Sequence, residues 1–256
     1  MTPNRPIRPY RWLAQYYDEL FSDFRAPMDA AREHVLGRIL PRVETACDLA
    51  CGTGTTALAL ARRGIQMYAV DLSPEMCRRA RENARRARLP LRVLQADMRS
   101  FRLPEPVDLI TCEYDALNHI PRQADLRLVA RAVARALRPG GYFFFDVNNS
   151  AAFKRYWKGD YWMERPGIVA VMRFGHTGEA DRAWADVEWF IREGSLWRRR
   201  RERVEEVCWS SGEVRRTFEQ AGFDQVRAWD GAPFFKNNPL ITRACRTVYL
   251  VRKSRA

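Results

Sequence analysis

The chain has 256 residues, of which 46% are hydrophobic and 29% are charged, and its formal net charge is +13. This length and this hydrophobic share allow one elaborated domain with a full core. No apolar run is long enough for a signal peptide or for the roughly 20 residues that span a bilayer, so we expect a soluble, cytoplasmic protein without membrane contacts. The six cysteines contain no C-x-x-C pair, which excludes a disulfide framework and a zinc module of that spacing.

The positive charge raises the question of a nucleic-acid partner, because basic surfaces attract phosphate. Of the 44 basic residues only Lys154, Lys158, Lys236 and Lys253 are lysines, and the arginines are spread over nearly every predicted element. A general bias toward arginine explains this distribution. The densest run, residues 198–203, has the alternation of a strand and predicts cross-strand ion pairs. Nucleic acid is therefore a possible partner that the sequence does not favour.

The first part of the chain predicts helices. Residues 9–40 contain the aromatic helical stretch YRWLAQYYDELF and then a second helix, which we expect to lie across the open edge of a sheet. We treat residues 1–43 as an N-terminal helical cap.

From residue 44 to residue 149, short apolar runs alternate with helical patterns, which predicts a parallel α/β sheet. Two strands are expected to end near residues 48–50 and at Asp71, and three more are the runs LRVLQADM, VDLITCEYD and RPGGYFFFDV. Helices are predicted between them over about residues 55–63, 73–88 and 123–137. Ser73 and Pro74 are the expected N-cap and first residue of the second of these helices.

The character of the chain changes after Asn149. Residues 153–165 are dense in aromatic and charged side chains, and alternating segments at 168–174, 183–192 and 196–209 predict an antiparallel meander. Ser211 is the predicted cap of a helix that ends at Gly222, and two closing strands follow. The predicted division is thus an insertion over 150–209 and a C-terminal helix with closing strands over 210–256, all within a single domain 1–256.

The turn after the first strand predicts a nucleotide-like ligand. Residues 52–57 satisfy the dinucleotide pattern G-x-G-x-x-A, but the carboxylate of Asp48 lies where a pyrophosphate would sit. The Asp48 carboxylate would instead attract an ammonium group of a ligand. The N-terminus of the following helix would attract a carboxylate of the same ligand. Asp71 is placed to accept hydrogen bonds from a ribose, while Asp97 and Met98 suit the amino group and the ring face of an adenine.

The segments D-L-A-C-G-T-G, V-D-L-S, A-D-M, C-E-Y-D and R-P-G-G occur in this order between residues 48 and 141. As a set, this pattern resembles the class I S-adenosylmethionine-dependent methyltransferases. The resemblance implies a Rossmann-like α/β fold with a seven-stranded, mostly parallel sheet whose last strand is antiparallel, together with the inserted meander. It implies S-adenosylmethionine as cofactor, S-adenosylhomocysteine as product and no metal. The cofactor residues it implies are Tyr17, Asp48, Ala50, Gly52, Thr53, Gly54, Asp71, Leu72, Met76, Asp97, Met98 and Glu113.

The segment YDALNHI after the fourth strand, together with the long insertion, resembles the small-molecule branch of this family, which includes amine and amino-sugar N-methyltransferases. We expect a small-molecule acceptor, methylated at nitrogen, and a monomer or homodimer. His119 is the candidate base and Tyr114 a second catalytic candidate, because imidazole titrates near neutral pH. A structural role for His119 is the alternative. Asn118, Trp157 and Trp162 are the candidate substrate residues.

Three other functions use the same kind of sheet. Methyltransferases of nucleic-acid amino groups carry an N/D-P-P-Y/F segment after the fourth strand, where this chain has Cys112-Glu113-Tyr114-Asp115. An RNA methyltransferase without that segment is the main alternative, since the charge would help it. Asp48 argues against an NAD-dependent oxidoreductase, because its carboxylate would lie where the pyrophosphate of NAD binds. A cofactor-binding scaffold without turnover is the third possibility.

Overall fold

The computed structural model describes residues 13–22, 25–235 and 245–255. Its helices are α1 (Tyr17–Leu20), α2 (Arg25–Leu36), α3 (Thr55–Ala61), α4 (Pro74–Ala87), α5 (Gln123–Ala136), α6 (Ser150–Tyr156), α7 (Ser211–Gln220) and α8 (Ala232–Phe235). Its strands are β1 (Thr45–Leu49), β2 (Gln66–Asp71), β3 (Arg92–Gln95), β4 (Val107–Cys112), β5 (Leu137–Asn148), β6 (Gly159–Arg165), β7 (Ile168–His176), β8 (Arg182–Glu193), β9 (Leu196–Val207), β10 (Phe223–Asp230) and β11 (Arg246–Lys253). Short 3₁₀ turns cover Leu13–Gln15, Leu40–Arg42 and Ala116–His119. Residues 1–12 of the predicted cap and 242–244 of the last predicted strand lie outside the described residues.

Seven strands form one sheet in the order β3-β2-β1-β4-β5-β11-β10. The first five are parallel, β11 runs antiparallel to β5, and β10 runs antiparallel to β11. All five residues of β1 are buried, as expected for a central parallel strand that is covered on both faces. The predicted fold class is confirmed.

Helices cover both faces of this sheet. Successive side chains of a strand point to opposite faces, so neighbouring residues of one strand pack against different helices. In β5, Phe143 and Phe145 pack against Phe218 of α7, with ring centroids 5.6 and 5.2 Å away. Phe144, between them, belongs to the other apolar cluster, which includes residues of α2, α3 and α4. Among the helices of the described residues, none combines the length and the apolar character that a bilayer crossing requires.

The insertion forms a second, four-stranded antiparallel sheet in the order β6-β7-β8-β9. The predicted meander is confirmed, with one strand more than the alternation indicated. The aromatic segment 153–165 divides into the end of α6 and the edge strand β6, and Phe153 is fully buried. A separate apolar cluster around Trp189 packs this sheet against Leu20 of α1.

The arginine run on β9 is paired across the strands, as predicted. Arg199 Nε donates to Glu188 at 2.7 Å, and Arg203 Nη1 donates to Asp186 at 3.1 Å. Arg198 Nε donates to Glu193 at 2.7 Å across the hairpin. These side chains are therefore engaged in a mixed-charge surface of the meander.

The predicted cap of α7 was wrong by one residue. Ser210, and not Ser211, is the N-cap, because its hydroxyl accepts from the Glu213 N–H while the Glu213 carboxylate accepts from the Ser210 N–H. This reciprocal pair requires a serine three residues before a glutamate, which only Ser210 satisfies. Ser211 instead accepts a hydrogen bond from Tyr249 Oη at 2.9 Å.

Candidate active site

A cavity of about 960 Å³ opens at the carboxyl ends of the first four strands. Ligand sites of open parallel sheets lie at this edge, because the loops that leave the strands meet there. The walls at this edge are residues 48–52, 71–74 and 95–99 together with Glu113, Tyr114 and Ala116. Helix α1 and strand β9 complete the enclosure with Tyr17, Phe21 and residues 203–205.

The glycine turn after β1 has left-handed backbone at alternate residues, with φ of 57° at Ala50, 54° at Gly52 and 84° at Gly54. Gly52 and Gly54 have different roles. Gly52 lines the cavity, where an added Cβ would lie 4.0 Å from the Tyr17 ring. An added Cβ on Gly54 would lie 3.2 Å from Ala80 of α4, so this glycine allows α3 and α4 to pack closely.

Asp71 closes β2 at the edge of the cavity. One of its carboxylate oxygens accepts from the Gly52 N–H and the other from the Ser73 N–H, both at 2.8 Å. Burial raises the pKa of Asp71, and the backbone hydrogen bonds oppose that rise. Each carboxylate oxygen has a second acceptor position, so the group is held rigidly and still has capacity for a ligand.

The wall after β2 and β3 is mostly apolar. Leu72 is 58% exposed within the open cavity, and Ala96, Met76 and Met98 line the same region. Asp97 lies here as predicted, but its carboxylate already accepts from Arg99 Nε at 3.0 Å to both oxygens. Hydrogen bonds from Arg99 lower the pKa of Asp97, which keeps it an ionised acceptor.

Two buried carboxyl groups, Asp48 and Glu113, line the cavity, and the buried Arg32 pairs with the second of them. Arg32 Nη1 of α2 donates to both oxygens of Glu113, at 2.9 and 2.8 Å, and Thr56 Oγ1 donates to the same carboxylate at 3.0 Å. Asp48 accepts from Thr111 Oγ1 at 2.8 Å and from the Ala57 N–H at 3.2 Å. Burial and the nearby charge of Glu113 raise the pKa of Asp48 to about 7, and burial also raises the pKa of Glu113.

The turn after β4 has a strained backbone. Tyr114 and Asp115 both have positive φ, 61° and 52°, which non-glycine residues rarely adopt in succession. The buried carboxylate of Asp146 holds this conformation, because its oxygens accept from the Tyr114 N–H at 2.7 Å and the Asp115 N–H at 3.0 Å. Such strain is characteristic of functional sites.

His119 ends the 3₁₀ turn that follows and lines the cavity. Its Nδ1 lies 3.1 Å from the carbonyl oxygen of Glu205 on β9. Asn118 is fully buried and bonds to backbone instead, donating to the carbonyls of Asn148 and Val207 at 2.9 and 2.8 Å. The meander thus contacts the turn directly.

Hydrogen bonds of Asp18 hold helix α1 against the glycine turn. Asp18 accepts from Thr53 Oγ1 at 2.6 Å and from Asn83 Nδ2 at 3.3 Å. It also accepts from Arg25 of α2 at 2.9 Å. These bonds hold Tyr17 against the cavity.

The cavity brings together most of the predicted site residues, namely Tyr17, Asp48, Ala50, Gly52, Asp71, Leu72, Met76, Asp97, Met98, Glu113, Tyr114 and His119. Thr53, Gly54, Asn118, Trp157 and Trp162 do not line it. Trp157 packs edge-on against Phe153 and Phe174, and Trp162 is 64% exposed on β6. Sequence reasoning missed Asp18, Phe21, Arg25, Arg32 and residues 203–205, because no local motif marks a helix or strand that arrives from elsewhere in the chain. It also missed Arg99, although this residue directly follows the predicted Asp97 and Met98.

Comparison with known proteins agrees with this arrangement. Residues 46–141 match a family model described as "Methyltransferase domain". A segment of 150 residues is 29% identical to Ubiquinone biosynthesis O-methyltransferase of Serratia proteamaculans (strain 568), and the match covers 56% of this chain and 60% of that protein. The chain spans little more than half the length of the curated relatives it matches.

Solved structures resemble nearly the whole chain. A S-adenosylmethionine-dependent methyltransferase from Clostridium acetobutylicum ATCC 824 has a TM-score of 0.78 at 24% identity, with 96% of this chain and all of that chain covered. The sugar N-methyltransferase KedS8 from Streptoalloteichus sp ATCC 53650 has a TM-score of 0.76 at 21% identity, covering 94% and 92% of the two chains. These likenesses establish the fold, and the match over residues 46–141 confirms the predicted resemblance to a methyltransferase domain.

Proposed function

We propose that this chain, which carries a class I methyltransferase domain, is an enzyme that transfers a methyl group from S-adenosylmethionine to a small molecule, at a nitrogen atom. The observation that carries the proposal is the composition of the cavity. The acidic groups Asp48 and Asp71, which flank the glycine turn, line the same cavity as His119. One enclosure therefore has groups suited to a methyl donor and groups suited to an acceptor.

The residues present fit S-adenosylmethionine. Asp71 retains acceptor capacity beside the Gly52 backbone, which suits the two hydroxyls of a ribose. Asp48 and Glu113 supply negative charge for an ammonium group. Leu72 and Met98 offer apolar surface to a purine ring.

Positioning is the main catalytic effect that this chain would supply. When bound, S-adenosylmethionine supplies a methyl group on a sulfonium, which is a good leaving group. Holding an acceptor in line with such a methyl accelerates transfer greatly, because the orientation is fixed before reaction. Tyr17 and Phe21, at α1, line the cavity beside the glycine turn.

An acceptor that carries a proton at neutral pH must give it up in the reaction, and His119 is suited to take that proton. The Glu205 carbonyl can only accept a hydrogen bond, so in the neutral ring the hydrogen lies on Nδ1 and Nε2 has the lone pair. Likeness to a sugar N-methyltransferase supports nitrogen, whereas the curated relative that is named an O-methyltransferase makes oxygen the alternative atom.

The function is tested by transfer of labelled methyl from S-adenosylmethionine into a cell extract that is separated into small-molecule, protein and RNA fractions. We expect label in the small-molecule fraction with the wild type and a near-complete loss with Asp71→Ala. Label in RNA would contradict the proposed acceptor class. Binding of S-adenosylhomocysteine without any transfer would favour a scaffold over an enzyme.

Replacing His119 by alanine should lower kcat by about 100-fold or more, the usual effect of losing a general base. Affinity for S-adenosylhomocysteine, measured by calorimetry, should not change, because His119 lies on the acceptor side. His176→Ala is the control, since His176 is at the end of β7 and bonds to the Thr177 carbonyl. An unchanged kcat in the His119 variant would mean that this histidine has a structural role only.

Binding of S-adenosylhomocysteine should release a proton, because the ligand's ammonium favours the ionised form of Asp48. The pKa of Asp48 is about 7 without ligand, so the group is protonated below that pH and must ionise on binding. We therefore expect affinity to rise as pH increases toward about 7 and to level off above it. Calorimetry in buffers with different ionisation enthalpies measures this release. Asp48→Asn should abolish it, and equal release by both proteins would contradict the placement of Asp48.

A further inference from the structure

A group of polar side chains joins strand β9 to the turn that carries His119. Carboxylate oxygens of Asp115 and Glu206 and a ring nitrogen of His119 lie within 4.8 Å of one another. Asn148 Nδ2 of β5 bridges the two acids, donating to Asp115 Oδ2 and to Glu206 Oε2 at 3.0 Å each. Glu206 is 3% exposed, whereas Asp115 and His119 are half-buried, so the group extends from the interior toward the cavity.

The charges in this group do not balance if every acid is ionised. Arg246 of β11 donates to Asp115 at 2.8 Å and also to Asp146, so one guanidinium serves two carboxylates. A third buried carboxylate beside them would be strongly unfavourable, and a buried acid in that position takes up a proton. Burial and the charge of Asp115 raise the pKa of Glu206 well above its usual value. Burial opposes ionisation of Asp115 too, but the charges of Arg246 and His119 and the hydrogen bond from Glu206 hold the pKa of Asp115 below its usual value.

Three consecutive residues of β9 contact the turn. The Glu205 carbonyl faces His119 Nδ1, the Glu206 carboxyl group lies within 4.8 Å of the Asp115 carboxylate and shares the Asn148 amide with it, and the Val207 carbonyl accepts from Asn118. Asp115 belongs to the strained pair of residues that begins the turn. A hydrogen bond at Asp115 therefore fixes the start of the turn while the neighbouring carbonyl fixes its end.

We propose that Glu206 is a positioning residue for methyl transfer, acting as a neutral carboxylic acid that donates a hydrogen bond to Asp115 and thereby holds His119 against the cavity. This rests on the proposed function of His119 as the base. When the acceptor nitrogen forms its bond to the methyl carbon, the carbon–sulfur bond breaks and its electron pair stays on sulfur. The proton of the nitrogen then passes to His119 Nε2, and the ionised Asp115 stabilises the positive ring.

A metal ion is the competing occupant of this group, since acids and histidine are common metal ligands. The hydrogen bonds favour a proton. Arg246 and Asn148 already donate to the carboxylate of Asp115, and a cation would have to displace the Glu206 proton next to the guanidinium.

Two substitutions at one position separate the positioning role from a general loss of structure. Glu206→Gln keeps a group that donates to Asp115, so we expect kcat within about 3-fold of the wild type, whereas Glu206→Ala should lower kcat by about 30- to 100-fold through misplacement of the base. Affinity for S-adenosylhomocysteine should be unchanged in both. Glu202→Gln is the matched control, because Glu202 is a buried acid of β9 that accepts from Trp189 Nε1 at 2.9 Å, away from His119. Equal losses of kcat in the glutamine and alanine variants would overturn the proposal.

The pH dependence gives a second test. An acid whose pKa is raised by folding stabilises the protein below its unfolded pKa, and this stabilisation is lost as pH rises through the folded pKa. The wild type should therefore lose stability and kcat on the alkaline side relative to Glu206→Gln. The other charged or titratable groups around Glu206 are the same in both proteins, namely Asp115 and His119 of the turn, Asp146 of β5, Arg246 of β11, Tyr17 of α1 and Glu205 of β9. Identical profiles would contradict a neutral Glu206.

Two readouts do not depend on turnover. The infrared carbonyl band of a buried carboxylic acid should be present in the wild type and reduced in Glu206→Gln. Addition of Zn²⁺ or Mn²⁺ should leave the Tm of both proteins unchanged. A rise of several degrees in the wild type alone would show that the group binds a metal ion in place of the proton, and would overturn the proposal. If no acceptor is ever methylated, the proposed function fails, while the infrared and pH–stability measurements still decide whether Glu206 is a neutral donor.

Discussion

Replacing Asp71 by alanine is expected to weaken the binding of S-adenosylhomocysteine by about 100-fold or more. The carboxylate would lose its hydrogen bonds to the ligand, and hydrogen bonds to a charged group contribute about 1.5–3 kcal/mol each. Two such bonds correspond to at least about 100-fold, since 1.4 kcal/mol is tenfold in affinity. The same substitution removes the acceptor of the Gly52 and Ser73 N–H groups, which frees the glycine turn. Calorimetric titration measures the affinity directly.

Asp108→Ala is the matched control for this variant. Asp108 also accepts two backbone N–H groups, those of Glu44 and Thr45 at 3.0 and 2.9 Å, but it lies near the amino ends of the same strands. We expect this variant to lose stability and to keep its affinity for S-adenosylhomocysteine. If the two aspartate variants weaken binding equally, Asp71 acts only through the stability of the sheet and its placement against the ribose is wrong.

Replacing Arg32 by methionine should cost about 3–5 kcal/mol of unfolding free energy. The substitution leaves the carboxylate of Glu113 buried without its cation, and breaking one side of a buried ion pair has a cost of this size. The double variant Arg32→Met with Glu113→Gln should recover most of the loss, because both charges of the buried pair are then removed. Urea denaturation of both proteins measures the two values.

An exposed ion pair provides the comparison. Arg63 and Glu33 are joined at 2.5 Å with both side chains about half exposed, so Arg63→Met should change the unfolding free energy by less than about 1 kcal/mol. If Arg32→Met changed the unfolding free energy as little as Arg63→Met, water would have to reach the Glu113 carboxylate.

The central sheet could be predicted because its signals are local. The glycine turn, the serine and proline that open α4 and the acids at the strand ends are each encoded within a few residues, and parallel strands bring their carboxyl ends to one edge. The predicted residues around Asp48, Asp71 and Glu113 therefore meet in one cavity. The predicted N-cap Ser211 was wrong by one position, because the glutamate that completes the capping box lies three residues after Ser210.

The acceptor side could not be predicted in the same way. Trp157 and Trp162 were assigned to substrate from their aromatic character, but whether a side chain of the insertion faces the cavity depends on how two sheets pack. The strand β9 reaches His119 through pairing and packing over more than 80 residues of intervening chain. Its arginine pattern reveals a strand and its ion pairs, yet nothing in it indicates that residues 203–205 form a wall of the site.

The sharing of one cavity between two sheets allows its two walls to evolve at different rates. The wall after β1 to β4 belongs to a close-packed sheet in which a single substitution disturbs many neighbours. The side chains of residues 203–205 belong to the meander, which is packed by its own apolar cluster around Trp189. Changes confined to the side chains of Arg203 and Val204 should combine almost additively with changes in the other sheet, whereas the Glu205 carbonyl, which contacts His119, couples the two walls. Selection for a new acceptor can therefore act on the meander while the methyl donor remains fixed by the central sheet.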